Sequence, residues 1–146
     1  MRLLLTIIVA GIVSIVLGLG AIVAIAEWVP SYDDPAGRSL GQVFMLLFVP
    51  IYAVIGMLTL GLSARHSEQR VGIATLVLAG LPCGIVLFVA LQALAARPDF
   101  YELKKQISSV VTVLLPLELA VLPQWLILRS YLRLRAGIPI FASGSA

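Results

Sequence analysis

The chain has 146 residues, of which 61% are hydrophobic and only 12% are charged, and its formal net charge is +3. A soluble domain is usually about half apolar and about a quarter charged, so this composition excludes an ordinary soluble globular protein. Nucleic-acid binding needs a basic surface on a folded aqueous domain, and the segments between the apolar stretches are too short to build one.

Four long apolar stretches dominate the sequence. Each is 23 to 26 residues long, and they occupy residues 3–26, 39–64, 71–96 and 106–128. Together they contain one charged residue, Glu118. A bilayer core of about 30 Å requires about 20 helical residues. We therefore predict an all-α membrane protein with a single integral membrane domain over residues 1–146. Its helices are predicted at about residues 3–28, 40–64, 70–96 and 106–131, with a tail at 132–146.

The first predicted helix shares some features with a secretory signal peptide, because Arg2 precedes it and the small residues "AIA" lie near its end. The apolar region of a signal peptide has about 7–15 residues. This one exceeds 20, so we expect an uncleaved membrane span. Gly11, Ser14 and Gly18 recur at spacings of 3 and 4 residues and form one stripe of small residues, which is typical of helix contacts in lipid.

The second and third predicted helices also carry small residues that would allow close packing. Gly56 belongs to a stripe in the second helix, and Gly80 and Gly84 form the GxxxG sequence "GLPCG" in the third. The fourth helix is rich in Leu, Val and Ile and has no such stripe. We therefore expect the first three helices to pack closely together. The fourth would be held by larger side chains, by its polar groups or by another protein.

Lysine and arginine in short loops predict the orientation of membrane helices. Six arginines fall on the side of the two termini, against four Lys or Arg on the other side. This bias favours both termini in the cytoplasm, and we expect the inner (plasma) membrane of a bacterium. The three connections are short, which predicts an up-down antiparallel four-helix bundle. Trp28, Trp125 and Tyr131 lie near helix ends and are predicted interface anchors.

The sequence offers little for catalysis or metal binding. Cys83 is the single cysteine and has no disulfide partner, and His66 has no second metal ligand nearby. The acidic residues Asp33 and Asp34 lack the ligand spacing of a calcium loop, so a solvated loop is expected. Membrane-embedded catalysis needs at least two cooperating groups, and only Cys83 and Glu118 could meet, across helices three and four. We expect no enzyme activity, no cofactor and no metal.

Glu118 is the most informative residue of the chain. It lies about 16–20 Å from either end of its helix, near the bilayer centre, where a charge costs about 2.5–3.5 kcal/mol. Pro116 and Pro123 flank it, and each frees a backbone carbonyl one turn back. Gln124 is near in sequence but on a different helix face. Three interpretations follow: a protonated acid bonded within the bundle, a group that pairs with a donor on another membrane protein, or a proton or cation site.

The sparse polar content and short loops favour a non-catalytic accessory or partner-binding subunit. Such a subunit would stabilise or restrain another membrane protein, or neutralise a membrane-acting toxin. The alternative is an oligomeric proton- or cation-linked small transporter or channel that uses Glu118. The expected partners are the lipid bilayer and another membrane protein or a second copy of the chain, and no nucleic acid.

Overall fold

The computed structural model describes residues 1–28 and 35–137, with the side chains of residues 35–39 excepted. All regular structure in these residues is helical, in four elements: α1 (Arg2–Trp28), α2 (Pro35–Ala64), α3 (Glu68–Ala95) and α4 (Phe100–Arg135). The predicted acidic loop residues Asp33 and Asp34 lie outside the described residues, as does the predicted tail from residue 138 onward.

Six of the eight helix ends lie beyond the predicted apolar stretches, most clearly the start of α2 and both ends of α4. α2 begins at Pro35 rather than near residue 40, because proline is well tolerated in a first helical turn. α4 runs for 36 residues, through charged segments at both ends. At a rise of about 1.5 Å per residue it is longer than a bilayer core is thick. Charged residues are not readily buried in lipid, but they do not interrupt helical hydrogen bonding. A hydropathy pattern therefore underestimates the length of these helices.

All four helices are long and apolar enough to cross a membrane. Large apolar side chains point away from the bundle on every helix; Leu76 of α3, for example, is 74% exposed. In water such a surface would promote association, whereas lipid tails cover it at no cost. The outward-facing apolar surface is therefore that of an integral membrane protein.

The fourth helix is the element that joins the bundle. α4 contacts α1, α2 and α3, and its contact with α1 is the most extensive of any helix pair. No contact between α1 and α3 occurs among the described residues. The expectation that the first three helices pack closely together therefore needs correction, because α2 and α4 meet each other between α1 and α3.

Two clusters of buried apolar residues lie along α4. One contains Val121 and Leu128 together with Leu60, Ala64 and Val71 from α2 and α3. The other gathers Ala120 with side chains of α1 and α2. Adjacent α4 residues thus face different neighbours, because successive residues of a helix point about 100° apart. Medium-sized residues of α4 fill the contacts with neighbouring helices on two of its sides. Its packing therefore does not depend on a glycine stripe of its own.

The predicted packing glycines divide into two groups. Gly11, Gly18 and Gly56 are buried, and a Cβ atom built on any of them would contact another helix. Gly80 and Gly84 of α3 are exposed, and a Cβ atom at either would meet nothing within 4 Å. Within this chain the α1 and α2 glycines therefore permit close approach, while the GxxxG sequence of α3 faces outward.

Gly18→Ala is expected to lower the free energy of unfolding by about 1–3 kcal/mol, the usual cost of overpacking. The new Cβ would lie 2.5 Å from Val49 Cγ1 and 3.2 Å from the Pro116 carbonyl oxygen, and a backbone atom cannot move aside cheaply. SDS-induced unfolding followed by helical circular dichroism measures the change. Gly20→Ala is the control, because its Cβ meets nothing within 4 Å. Equal stability of the two variants would contradict this account of α1 packing.

Candidate functional site

Gln124 is the polar residue that links α4 to α2 inside the bundle. Its side chain is fully buried, and its Nε2 atom donates to the carbonyl oxygens of Ala53 at 2.9 Å and Ala120 at 2.8 Å. Gly56 gives it room, because a Cβ there would lie 3.3 Å from Nε2. Such hydrogen bonds between membrane helices contribute about 0.6–2 kcal/mol. Gln124 thus makes an internal link between α4 and α2, and its candidacy as a partner or proton site stays a prediction.

Two polar atoms of the bundle interior have no hydrogen-bond partner among the described residues: Ser14 Oγ and Gln124 Oε1. Ser14 is fully buried on the α1 stripe between Gly11 and Gly18. Both residues thus combine packing with an unused hydrogen-bonding group, and the small side chain of Ser14 serves close approach in the same way as its neighbouring glycines.

Glu118 occupies a different position from Gln124. It is only half-buried, on the side of α4 that faces α3, and its Oε1 atom accepts a hydrogen bond from the exposed Cys83 thiol at 3.3 Å. The two residues are 35 positions apart in sequence, so the bundle brings together the pair that the sequence marked as able to meet.

Pro82 of α3 frees a backbone carbonyl that accepts a hydrogen bond from α2. Pro82 is buried inside α3 and has no backbone N–H, so the carbonyl of Leu78, four residues earlier, loses its helical donor. The Tyr52 hydroxyl donates to that carbonyl oxygen. In lipid an unsatisfied carbonyl is costly, and a neighbouring helix commonly supplies the missing donor. The sequence analysis did not single out Tyr52, although the Pro82 break is a signal that could have done so.

The prolines of α4 do not interrupt the helix. Pro116 and Pro123 both lie inside the continuous element Phe100–Arg135. Pro116 is buried against α1, where its carbonyl oxygen lies 3.2 Å from a Cβ position on Gly18, while Pro123 is half-buried. Pro116 is thus placed in the α1 contact, and neither proline is shown to bond with Glu118.

Glu118 belongs to a lipid-facing surface that we call the α3–α4 face. Gly80, Cys83 and Gly84 are exposed at helical spacings of 3 and 4 residues and therefore share one side of α3. On α4 the exposed residues Leu115 and Leu122 lie one turn before and after Glu118. The face consists of these six residues: Gly80, Cys83, Gly84, Leu115, Glu118 and Leu122. It combines a shallow, small-residue surface with one carboxyl group.

An ion cluster at one end of the bundle joins α3 to α4. Glu68 Oε1 accepts hydrogen bonds from the Nε atoms of Arg129 at 3.2 Å and Arg133 at 2.9 Å. The Arg129 guanidinium also lies over the Trp125 ring, 5.1 Å from its centroid. The sequence analysis assigned these arginines to topology alone, because the residues of the cluster are 61 and 65 positions apart.

Two of the predicted interface anchors, Trp28 and Tyr131, lie near helix ends, whereas Trp125 lies ten residues before the end of α4. Trp28 is 84% exposed at the end of α1, and Tyr131 is half-buried in the last turns of α4. Trp125 is half-buried and contacts Arg129, as described above. Side chains with an apolar body and a polar atom are suited to the boundary between lipid and water.

The described residues hold no group of three His, Cys, Asp or Glu side chains that would ligate a metal ion. The Glu118–Cys83 pair is a single acid with a single thiol. A comparison with protein-family models gave no match, and comparisons with curated proteins and with solved structures gave none either. The function is therefore inferred from the geometry of the chain itself.

Tyr52→Phe is expected to destabilise the protein by about 1 kcal/mol, because it leaves the Leu78 carbonyl without a donor. In a Pro82→Ala background the restored backbone N–H satisfies that carbonyl, so the same substitution should cost less. A double-mutant cycle of SDS-unfolding free energies isolates this coupling. An identical cost of Tyr52→Phe in both backgrounds would show that the hydroxyl does not replace the missing donor.

Proposed function

We propose that this protein is a non-catalytic membrane subunit that binds another membrane protein through the α3–α4 face. The bundle is up-down and antiparallel, with both termini in the cytoplasm, in the inner membrane of a bacterium. The partner presents a membrane helix with a hydrogen-bond donor at mid-depth, opposite Glu118. The donor is a Lys, Arg or His side chain, or a neutral amide or hydroxyl.

The observation that carries this proposal is the difference in burial and hydrogen bonding between two polar residues of α4. Gln124 is fully buried and makes the internal link to α2, whereas Glu118 is half-buried and accepts a hydrogen bond from the weakly donating Cys83 thiol. A carboxyl group in lipid is costly, and such residues mark functional sites by default. Because Gln124 already supplies the internal polar link to α2, we infer that the Glu118 carboxyl serves a partner outside the bundle.

The surroundings of Glu118 suit a helix rather than a small ligand. Gly80 and Gly84 lack any neighbour within 4 Å of a Cβ position, so an approaching helix can come close to the α3 backbone. Small residues at spacing four are the common surface for such contacts in membranes. A helix seated there would reach Glu118 across the exposed Cys83.

A photo-crosslinking residue in place of Leu115, an exposed member of the α3–α4 face, is expected to capture the partner in native membranes. One at position 16 of α1, which is also exposed, should capture none. Glu118→Leu and Gly80→Leu are both expected to reduce the position-115 adduct at least about tenfold, which corresponds to the loss of one charge-assisted hydrogen bond or of close helix approach. Glu118→Gln keeps an acceptor oxygen and should retain more adduct than Glu118→Leu.

Gly20→Leu is the matched control, because Gly20 is also exposed with open space around its Cβ position. Its adduct yield should equal that of the unaltered chain. An adduct twice the mass of the chain would identify a second copy as the partner. Failure to obtain an adduct at position 115, or an adduct indifferent to both substitutions, would refute binding at this face.

Proton- or cation-linked transport by an oligomer is the second candidate. The meeting of Glu118 and Cys83 from two helices near mid-span is the observation that favours it. Reconstituted liposomes then show proton-linked flux that Glu118→Ala abolishes. Equal flux from the Glu118→Ala protein and the unaltered chain, or no flux from either, would contradict transport through Glu118 and favour partner binding.

A further inference from the structure

A shallow cleft opens at the end of the bundle that carries the ion cluster. Its volume is about 520 Å³, and it lies between the first turns of α3 and the later turns of α4. Its lining residues are Glu68, Gln69, Gly72, Trp125 and Arg129, and we call it the Arg129 cleft. It shares Glu68 and Arg129 with the ion cluster that joins α3 to α4. It lies outside the α3–α4 face, and the proposed docking does not use it.

The charges around the cleft favour an anion. One Glu68 oxygen accepts from the Nε atoms of two arginines, so the three groups together carry an excess positive charge. Arg129 uses only its Nε atom in that pair. Its terminal nitrogens have no oxygen partner among the described residues, and its side chain remains 38% exposed. Glu68 and the Trp125 ring therefore orient a guanidinium whose outer N–H groups remain available.

A guanidinium presented in this way matches a phosphate group. Its paired N–H donors fit two oxygens of a planar or tetrahedral oxyanion, and these charge-assisted bonds are among the stronger ones in proteins. The neighbouring Trp125 belongs to the residue type that concentrates at the level of lipid headgroups.

The cleft continues into the apolar surface of α3. Gly72 forms part of its lining, and a Cβ atom at Gly72 would meet nothing within 4 Å. Leu76, one turn further along the same side of α3, is 74% exposed. An acyl chain can therefore lie against Gly72 and Leu76 while its headgroup stays in the cleft.

We propose that the Arg129 cleft binds a phosphate group, with Arg129 as its principal contact. The continuity with the lipid-facing side of α3 favours a phospholipid headgroup over a free phosphate compound as the source. The site is independent of the partner proposed for the α3–α4 face, and each can fail without the other.

Lipid binding to the purified full-length chain in detergent tests the proposal. The probes are phosphatidylglycerol, a galactosyl diacylglycerol with the same tails and no phosphate, and glycerol phosphate. Native mass spectrometry counts bound lipid, and Trp125 fluorescence in a Trp28→Phe background reports occupancy. Phosphatidylglycerol is expected to bind at least about tenfold more tightly than the glycolipid, the value of one charge-assisted hydrogen bond.

Arg129→Gln and Gly72→Leu should each remove that preference, the first by deleting the donors and the second by filling the cleft. Gly72→Leu leaves the ion cluster intact, so it stays informative even where Arg129→Gln fails to fold. The controls are Gly20→Leu, for an equally open glycine elsewhere, and Arg65→Gln, for an exposed arginine in the turn just before α3. Neither should change the preference.

Tighter binding of glycerol phosphate than of phosphatidylglycerol, with the same dependence on Arg129 and Gly72, would support phosphate recognition and assign it to a soluble compound. Equal binding of the phospholipid and the glycolipid would overturn the proposal. So would a preference that survives Gly72→Leu, since the phosphate would then lie elsewhere on the chain.

Discussion

In hydrocarbon, a backbone carbonyl that loses its helical donor has no water to bond with and must find another donor inside the protein. This constraint links α3 to α2. Pro82 deprives Leu78 of its donor, and the Tyr52 hydroxyl of α2 replaces it. A separate hydrogen bond, from Gln124 to the Ala53 carbonyl, links α4 to α2. The Glu68 ion cluster joins α3 to α4, and apolar packing completes the bundle.

The side of the molecule formed by α3 and α4 differs from the rest. α1 uses Gly11 and Gly18 to approach α2 and α4, so these small residues lie in internal contacts. α3 keeps its glycines open, and beside them lie the half-buried carboxyl of Glu118 and, near the helix start, the cluster around Glu68. Polar groups that face outward from a lipid-covered surface are the ones available to other molecules. The two proposals therefore concern the same side of the bundle at different depths.

The existence of the four helices could be predicted from the sequence, because burial in lipid depends on the apolar character of each stretch alone. The mutual positions of the helices could not, because they depend on pairs of residues far apart in the chain. Glu68 pairs with Arg129 and Arg133, which lie more than 60 positions away, and no local sequence pattern predicts this ion cluster. α4 looked peripheral because it has no glycine stripe, yet its Ala120 and Val121 fill contacts on two sides. Glu118 was recognised by its isolation, and its pairing with Cys83 remained one option among several.

The central position of α4 has a consequence for biogenesis. Membrane helices are inserted in the order of synthesis, and each is stable as a separate span before it associates with others. α1 and α3 share no contact among the described residues, and α4 is the last of the four to be made. The nascent chain therefore holds three spans joined only through α2, with the α1 surface that α4 will cover still open to lipid. The bundle is completed by its final span, and until then a chaperone or an early-binding subunit has access to surfaces that the finished protein hides.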